Sequence, residues 1–421
     1  MKRERRAWVL YDWANSAFAT TMMAAVLPVY YSSVAAYGIN PQKATSYWGL
    51  TQSAATFIVA VLSPLLGAIA DYSGMKARFL KAFALLGILG SGLMAFVGQG
   101  DYLLASVIYL IGSVGYMGGN GFYDSLLTDL AAPGERDQLS ARGYAGGYIG
   151  GGLLLAVNLL MIEKYEWFGF AGKTQATQAV FITVAVWYLA FAMPMFLTIR
   201  DKSGVRGLRL GAYTRAGWSR IAQSLRSLRR YPELLKYMLA FWLYNDGIST
   251  IISMATIYGS EIGIGTSHLI AALLITQFVG IPFTYAFGGL AKRIGAKKGL
   301  YLSLSVYVVI VGLGYFMTSA LHFYALAVMV GFVQGGSQAL SRSIFSRLVP
   351  ADRSAEWFGF LTVSSRFSAV LGPAVFSLVG LWTGSSRLGI LALLAFFVSG
   401  IFLLMKVDLA KGEREASAAH A

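Results

Sequence analysis

Gly67-Ala-Ile-Ala70-Asp71-Tyr-Ser-Gly74-Met-Lys76-Ala-Arg78 closes one long apolar run and opens the next. A worn copy, Gly288-Gly-Leu-Ala291-Lys292-Arg-Ile-Gly295-Ala-Lys297-Lys298, returns 221 residues later with Gly, Ala, Gly and Lys at unchanged spacing. A second pair supports the repeat. Gly118-Gly119 leads to Pro133-Gly-Glu135-Arg136, and Gly335-Gly336 leads to Pro350-Ala-Asp352-Arg353, offset by 217 residues. Leu10-Tyr11-Asp12 is echoed by Leu243-Tyr244-Asn245. A period this long marks a chain built as two halves of one design.

Outward from these loops the sequence is apolar. Of 421 residues, 57% are hydrophobic and 13% charged, with a mean hydropathy of +0.61. A soluble chain carries about a quarter charged residues, so the composition argues against a soluble enzyme at the outset. A bilayer-spanning helix needs about 20 mostly apolar residues, because the hydrocarbon offers no water to the backbone. Twelve stretches meet that need: 8–31, 46–70, 79–98, 102–126, 142–162, 177–199, 235–258, 267–290, 299–319, 322–344, 356–381 and 387–406. The spacing predicts an all-α membrane protein with six-helix bundles over 1–199 and 235–406, a basic linker over 200–234 and a tail over 407–421. Met1-Lys-Arg-Glu-Arg-Arg6 has the charge of a signal-peptide start. Asp12 and Asn15 interrupt the apolar run behind it, however, and no cleavage site ends that run, so it reads as a retained first helix.

The net charge of +15 invites a nucleic-acid reading, and its distribution refutes it. With the N-terminus cytoplasmic, 28 of the 34 Lys and Arg fall on that side, 4 on the other (Lys43, Lys164, Lys173, Arg387), and Arg342 and Arg366 inside helices. Short loops obey the positive-inside rule, so both termini are expected in the cytoplasm. Zero cysteines exclude disulfides and thiolate chemistry, and His268, His322 and His420 stand too far apart for a histidine metal site. No cofactor is expected. The glycines of 115–121 and 146–152 follow no strand and lack a Lys-Ser/Thr ending, so they are close-packing positions and not phosphate loops.

Gly-x-x-Ala-Asp-x-x-Gly-x-Lys-x-Arg between the second and third stretches resembles the signature loop of the major facilitator superfamily of secondary transporters. Tyr11-Asp-Trp-Ala-Asn-Ser-Ala-Phe18, Gly146-Gly-Tyr-Ile-Gly-Gly-Gly152, Gln334-Gly-Gly-Ser-Gln-Ala-Leu-Ser-Arg-Ser343, and Phe358-Gly-Phe with Leu371-Gly-Pro373 after it, resemble one branch of that superfamily. The branch holds the autophagy-related vacuolar amino-acid effluxers and their bacterial relatives. The resemblance spans nearly the whole chain. It implies a monomeric twelve-helix carrier working by alternating access, with a small polar solute as cargo. An amino acid, exported, is the first expectation, and a multidrug or other organic-solute carrier is the alternative. A non-transporting receptor is a remote alternative, and no catalytic motif supports an enzyme. The compact loops point to a prokaryotic plasma membrane.

Ionisable groups inside a span are candidates for function. Asp246 lies near mid-depth of the seventh stretch beside Tyr244 and Asn245, as a proton- or amine-binding carboxylate or as one fixed by an internal donor. Arg366, midway along the eleventh, is a candidate for a substrate carboxylate, or pairs with a carboxylate of the protein. Gln334 and Gln338 lie in the branch motif of the tenth stretch. Asp12 and Asn15, one turn apart, are placed at the mouth of the cavity or at a cap. Asp124 and Arg342 take equivalent places in the fourth and tenth stretches, as a gate or as separately capped charges. By resemblance Gly67, Asp71, Gly74, Lys76, Arg78 and Asp129 form the conformational switch, with Asp71 capping the eleventh helix and Arg78 reaching Asp129. In the second copy Lys292 stands where Asp71 would, so the switch is expected to be asymmetric. Within 206–230, Trp218, Ile221, Leu225 and Leu228 recur at helical spacing among arginines, which predicts an amphipathic helix against anionic lipid headgroups.

Overall fold

The computed structural model describes residues 2–202, 204, 210–227, 230–383 and 385–418, and every regular element among them is helical. The long helices are α1 (Lys2–Ala17), α2 (Pro41–Ser73), α3 (Lys76–Leu93), α4 (Tyr102–Ser125), α5 (Arg136–Glu163) and α6 (Lys173–Thr198). They continue as α7 (Leu210–Ser227), α8 (Pro232–Glu261), α9 (Thr266–Ile294), α10 (Ala296–Tyr315), α11 (Ala320–Leu348), α12 (Ser354–Thr383), α13 (Ser386–Met405) and α14 (Leu409–Ala418). The two copies of the glycine loop sit at matching places, one after α2 and one after α9. Each of those helices also carries an internal proline, Pro64 in α2 and Pro282 in α9.

Among the described residues, ten helices are long and apolar enough to cross a membrane. The two other predicted spans, α8 and α12, are 30 residues each, ample in length to cross. Asp246 and Glu356 are buried in them. The chain is a multi-pass all-α membrane protein of twelve spanning helices, α1–α6 and α8–α13.

Contacts divide the chain into two compact units, 1–126 with 146–217, and 127–145 with 218–421. The segment between α4 and α5, together with the first turns of α5, thus packs with the second unit, although the sequence boundaries of 1–199 and 235–406 assign it to the first half. In the first unit α1 packs on α6, α2 on α4, and α3 on both α4 and α6. The second unit repeats the scheme: α8 on α13, α9 on α11, and α10 on both α11 and α13. The repeat seen in sequence is therefore a repeat of packing.

Small residues make these contacts possible. A Cβ on Gly115 would lie 2.3 Å from the backbone nitrogen of Gly87, and one on Gly150 would lie 2.3 Å from the carbonyl oxygen of Trp13. No side chain larger than hydrogen fits, so α4 meets α3, and α5 meets α1, backbone to backbone. At the two glycine loops the backbone itself requires this residue. Gly74 has φ 69° and Gly295 φ 89°, the left-handed region that costs an L-residue roughly 1–2 kcal/mol.

The second unit is cemented by Tyr237, Tyr244, Tyr307, Phe345, Trp357 and Phe397, all essentially inaccessible. Past Ala17, α1 widens into π-helical turns at Phe18–Ala25 and Tyr31–Ala35. Helix α7 occupies 210–227 of the predicted linker, with Ile221 buried and Trp218 57% exposed, while the Leu225 side chain and Leu228 lie outside the described residues.

Candidate functional site

Pro232 starts α8 at a position where its missing N–H is no loss, and Asp246 lies about four turns further along. Asp246 is 1% exposed. Its Oδ1 accepts a hydrogen bond from the backbone N–H of Gly372 in α12, at 2.9 Å, while Oδ2 is buried with no partner among the described residues. The Thr250 hydroxyl, also buried, donates to the Asp246 carbonyl oxygen at 2.7 Å. Gly372 is the reason α12 comes so near. A Cβ there would lie 1.9 Å from Thr250 Oγ1 and 2.9 Å from Asp246 Oδ1. Pro373, next in the chain, has no N–H and interrupts the α12 ladder at the same place. A carboxylate kept inside an apolar bundle costs several kcal/mol, which marks Asp246 as a candidate functional group.

The residues beside Asp246 are tied elsewhere. Tyr244 exchanges hydrogen bonds with Ser341 Oγ at 2.7 Å and with the Tyr237 hydroxyl at 3.1 Å, and a Cβ on Gly400 would lie 2.9 Å from Tyr244 Cβ. It is a joint between α8, α11 and α13. Asn245 also has polar contacts. The Arg366 side chain lies outside the described residues. Gln334 and Gln338 are half-buried on α11, and the backbone carbonyl of Gln334 accepts from Ser337 Oγ at 2.8 Å.

In the first unit Asp12 and Asn15 are both buried, and Asn15 Nδ2 donates to Asn120 Oδ1 at 2.9 Å. Asn120 sits in the Gly118–Gly121 run, where the glycines draw attention away from the one polar side chain. Tyr11 meets the Tyr188 hydroxyl at 3.1 Å, and Trp8 stacks on Tyr123 at 4.4 Å while donating to its carbonyl at 3.0 Å. A polar patch inside a mostly apolar helix pair is thus framed by aromatic rings.

Where α2 ends and α3 begins, Asp71 pairs with Lys76 at 3.1 Å, and Gly67, in the last turns of α2, is buried. The Arg78 guanidinium is on Asp201 at 2.8 Å, and the Arg78 N–H also donates to that carboxylate. Resemblance pairs Arg78 with Asp129; the structure brings it Asp201, from the polar chain after α6, where one acid among many basic residues draws no notice. Lys202 closes the same turn by donating its backbone N–H to the carbonyl of Gly74 at 3.0 Å. Asp129 is half-buried beyond α4.

Of the two residues expected to form a gate or to be separately capped, Asp124 belongs to the first unit and Arg342 to the second. Arg342 donates through Nε to Ser140 Oγ and through a terminal nitrogen to the Ser140 carbonyl, both at 2.8 Å, and lies over the Tyr144 ring at 4.2 Å. A larger ionic cluster went unread in the sequence. Asp137, at the start of α5, binds Ser343 and Arg347 of α11, and Arg347 continues to Glu413 of α14 at 3.6 Å. Arg136 beside it is buried and donates to the carbonyls of Ala131 and Ser346. Arg353, its counterpart in the repeat, instead donates to Gln223 of α7 at 3.1 Å. The buried Glu233 accepts from the Asp408 N–H at 2.8 Å and pairs with Lys236 at 2.9 Å and Lys411 at 3.5 Å. Among the described residues no acidic or histidine cluster is arranged to hold a metal ion.

The whole length of this architecture finds counterparts. The family model described as "Vacuole effluxer Atg22 like" matches residues 1–417. The uncharacterized MFS-type transporter YxiO of Bacillus subtilis (strain 168) is 36% identical over 405 residues, covering 96% of this chain and 94% of its own. Autophagy-related protein 22 of Kluyveromyces lactis is 23% identical over 372 residues, covering 81% of this chain and 74% of its own. Among solved structures, the transporter FucP in the outward conformation aligns with a TM-score of 0.74 at 15% identity, over 97% of this chain and 99% of that one. The proton:xylose symporter XylE aligns with a TM-score of 0.71 at 15% identity, over 99% and 98%. At that identity the two solved structures speak for the fold alone.

Proposed function

Because this chain belongs to the Atg22-like family of major facilitator transporters, we propose that it carries a small polar solute, an amino acid first among candidates, outward across the membrane with protons as the coupling ion. The observation that supports this most is the Asp246 carboxyl, buried at mid-helix with one oxygen hydrogen-bonded and the other without a donor among the described residues. A carboxylate is retained at such a cost where it loads and unloads a charge. In an alternating-access cycle the carboxyl takes up a proton or an ammonium group on one side and releases it on the other, as two repeats rock around a midplane site. The amide pair Asn15–Asn120 offers uncharged hydrogen-bonding groups suited to a polar cargo. Arg366 is the proposed partner of a substrate carboxylate, and the Asp124–Arg342 pair and the Asp71 loop are proposed to govern closure. The termini are proposed to be cytoplasmic, α7 to lie on anionic headgroups, and the carrier to work as a monomer in a prokaryotic plasma membrane.

The test is direct. Purified protein is screened by thermal shift against amino acids, sugars, peptides and drugs, and hits are carried into liposome flux with and without a pH gradient. An amino acid that stabilises the protein and moves faster under the gradient is the expected result. Stabilisation by hydrophobic drugs and by no amino acid would replace the cargo assignment. Asp246→Asn is expected to retain binding of the solute and lose the effect of the gradient; an unchanged gradient effect removes Asp246 as the proton carrier.

A further inference from the structure

The Asp246 carboxyl reaches a backbone amide, and that amide belongs to the residue before a proline inside a spanning helix. The Gly372 N–H donates to this carboxyl on another helix at 2.9 Å, within a helix that runs continuously over Ser354–Thr383. Pro373 supplies no N–H of its own, so α12 lacks a ladder bond at that position, directly beside the Gly372 N–H that donates to Asp246. The segment 371–380 is therefore joined to the earlier part of α12 across a weak point, and the Asp246–Gly372 bond spans that point. Gly372 leaves no side chain between the helices, with Thr250 Oγ1 filling the place where a Cβ would be.

We propose that Asp246 is a positioning residue for α12 as well as a loading site: its charged carboxylate grips the Gly372 amide and holds the break at Gly372-Pro373 in one geometry, and taking up a proton slackens the grip. Hydrogen bonds to an ionised acceptor are roughly twice as strong as those to a neutral one. A change of charge on α8 is thereby converted into a change of stiffness in α12. This deepens the proposed proton coupling and rests on it only for the claim that Asp246 changes protonation during transport.

The groups facing the carboxyl leave room for this. Besides the Gly372 amide, the Thr250 hydroxyl of the carboxyl's own helix lies nearby, but it donates to the Asp246 backbone carbonyl and not to the carboxyl. Of the charged side chains on neighbouring helices, Arg342 is engaged with Ser140, Arg347 with Asp137 and Glu413, and Arg387 with the carbonyl of Met317. Glu356 is buried in the first turn of α12, and the Arg366 side chain is outside the described residues. The bonds named here for Arg342, Arg347 and Arg387 run to groups other than Asp246.

The chain has no cysteine, so paired spin labels can be placed at will. Labels at Val363→Cys and Trp382→Cys bracket the break on α12, and pulsed electron paramagnetic resonance in nanodiscs reads the distance between them. The expected result is one narrow distribution at about pH 8.5 that broadens or shifts at about pH 5.5, on either side of the range in which buried carboxyls titrate. In Asp246→Asn the distribution is expected to be broad at both pH values, and in Asp246→Glu the pH dependence is expected to return in part. A wild-type distribution identical at the two pH values overturns the proposal without recourse to any variant. Asp246→Asn showing the full wild-type pH response overturns it too. The two roles of Asp246 separate in the outcomes: gradient-driven flux with an unresponsive α12 keeps the proton carrier and removes the hinge, whereas a responsive α12 without proton-driven flux does the reverse.

Discussion

At the scale of single residues, the decisive groups are those kept inside the bundle against their solvation. Asp246 could be picked out by its type and depth, since an acid inside a span is rare. What sequence cannot provide is its partner. Gly372 lies 126 residues away and contributes a backbone N–H, which no residue identity advertises. The same blindness hid Asn120 and Asp201, whose roles depend on which helix faces them. It also made Tyr244 look like a binding residue when its hydroxyl is committed to Ser341 and Tyr237. The close approach at Gly372 gives a stability prediction. Gly372→Ala places a methyl 1.9 Å from Thr250 Oγ1 and is expected to destabilise by about 1–3 kcal/mol, the usual cost of overpacking. Thr250→Ala in the same chain is expected to recover part of it. Thermal unfolding in detergent checks both, and a Gly372→Ala protein as stable as wild type would contradict the contact.

At the scale of elements, the helices were legible because hydrophobicity over twenty residues is a strong signal, and their ends were legible where a loop carried glycine. α14 was not, being a short polar helix whose existence rests on what it docks against. Asp408 begins it, accepting from the Lys411 N–H at 3.0 Å, and Gly412 sits where a Cβ would be 2.3 Å from Leu348. Glu233 holds this helix by two charge-assisted contacts, to the Asp408 N–H at 2.8 Å and to Lys411 at 3.5 Å, whose side chain is about half exposed. After allowance for that screening, Glu233→Gln is expected to cost about 1–2 kcal/mol and to speed amide exchange across 409–417. Unchanged exchange there would show that apolar contacts alone seat α14. The Lys411 amide, first among several donors and cations, holds the Asp408 carboxyl below the usual carboxylate range. Its contribution is complete above the ordinary aspartate pKa of about 4 and is lost as the pH falls through the lower folded value. Docking of α14 should therefore be flat from about pH 5 to 8 as far as Asp408 is concerned, which exchange measurements at the two ends of that range would check.

At the scale of the whole molecule, the twelve spans and the two-fold repeat were readable, and the grouping of residues into units was only partly so. The segment 127–145 joins the second unit because Arg136, Asp137 and Ser140 bond to α11, and long-range bonds of this kind leave no trace in local composition. The orientation rests on where the basic residues fall. Thiols introduced singly at residues 203 and 169 are expected to label from opposite sides of the membrane, with 203 on the inner face; labelling of 203 from outside intact cells would invert the topology. The two turns at Gly74 and Gly295 carry a further consequence, one about ancestry. Their backbones share a positive φ, whereas the residues three positions earlier, Asp71 and Lys292, have opposite charge. If the halves descend from one duplicated gene, a backbone conformation that favours a single amino acid drifts more slowly than the charge of a side chain near it. Each glycine is then a fixed origin from which the halves can be numbered against one another, and Pro64 and Pro282, ten and thirteen residues before it, measure how far the copies have slipped since.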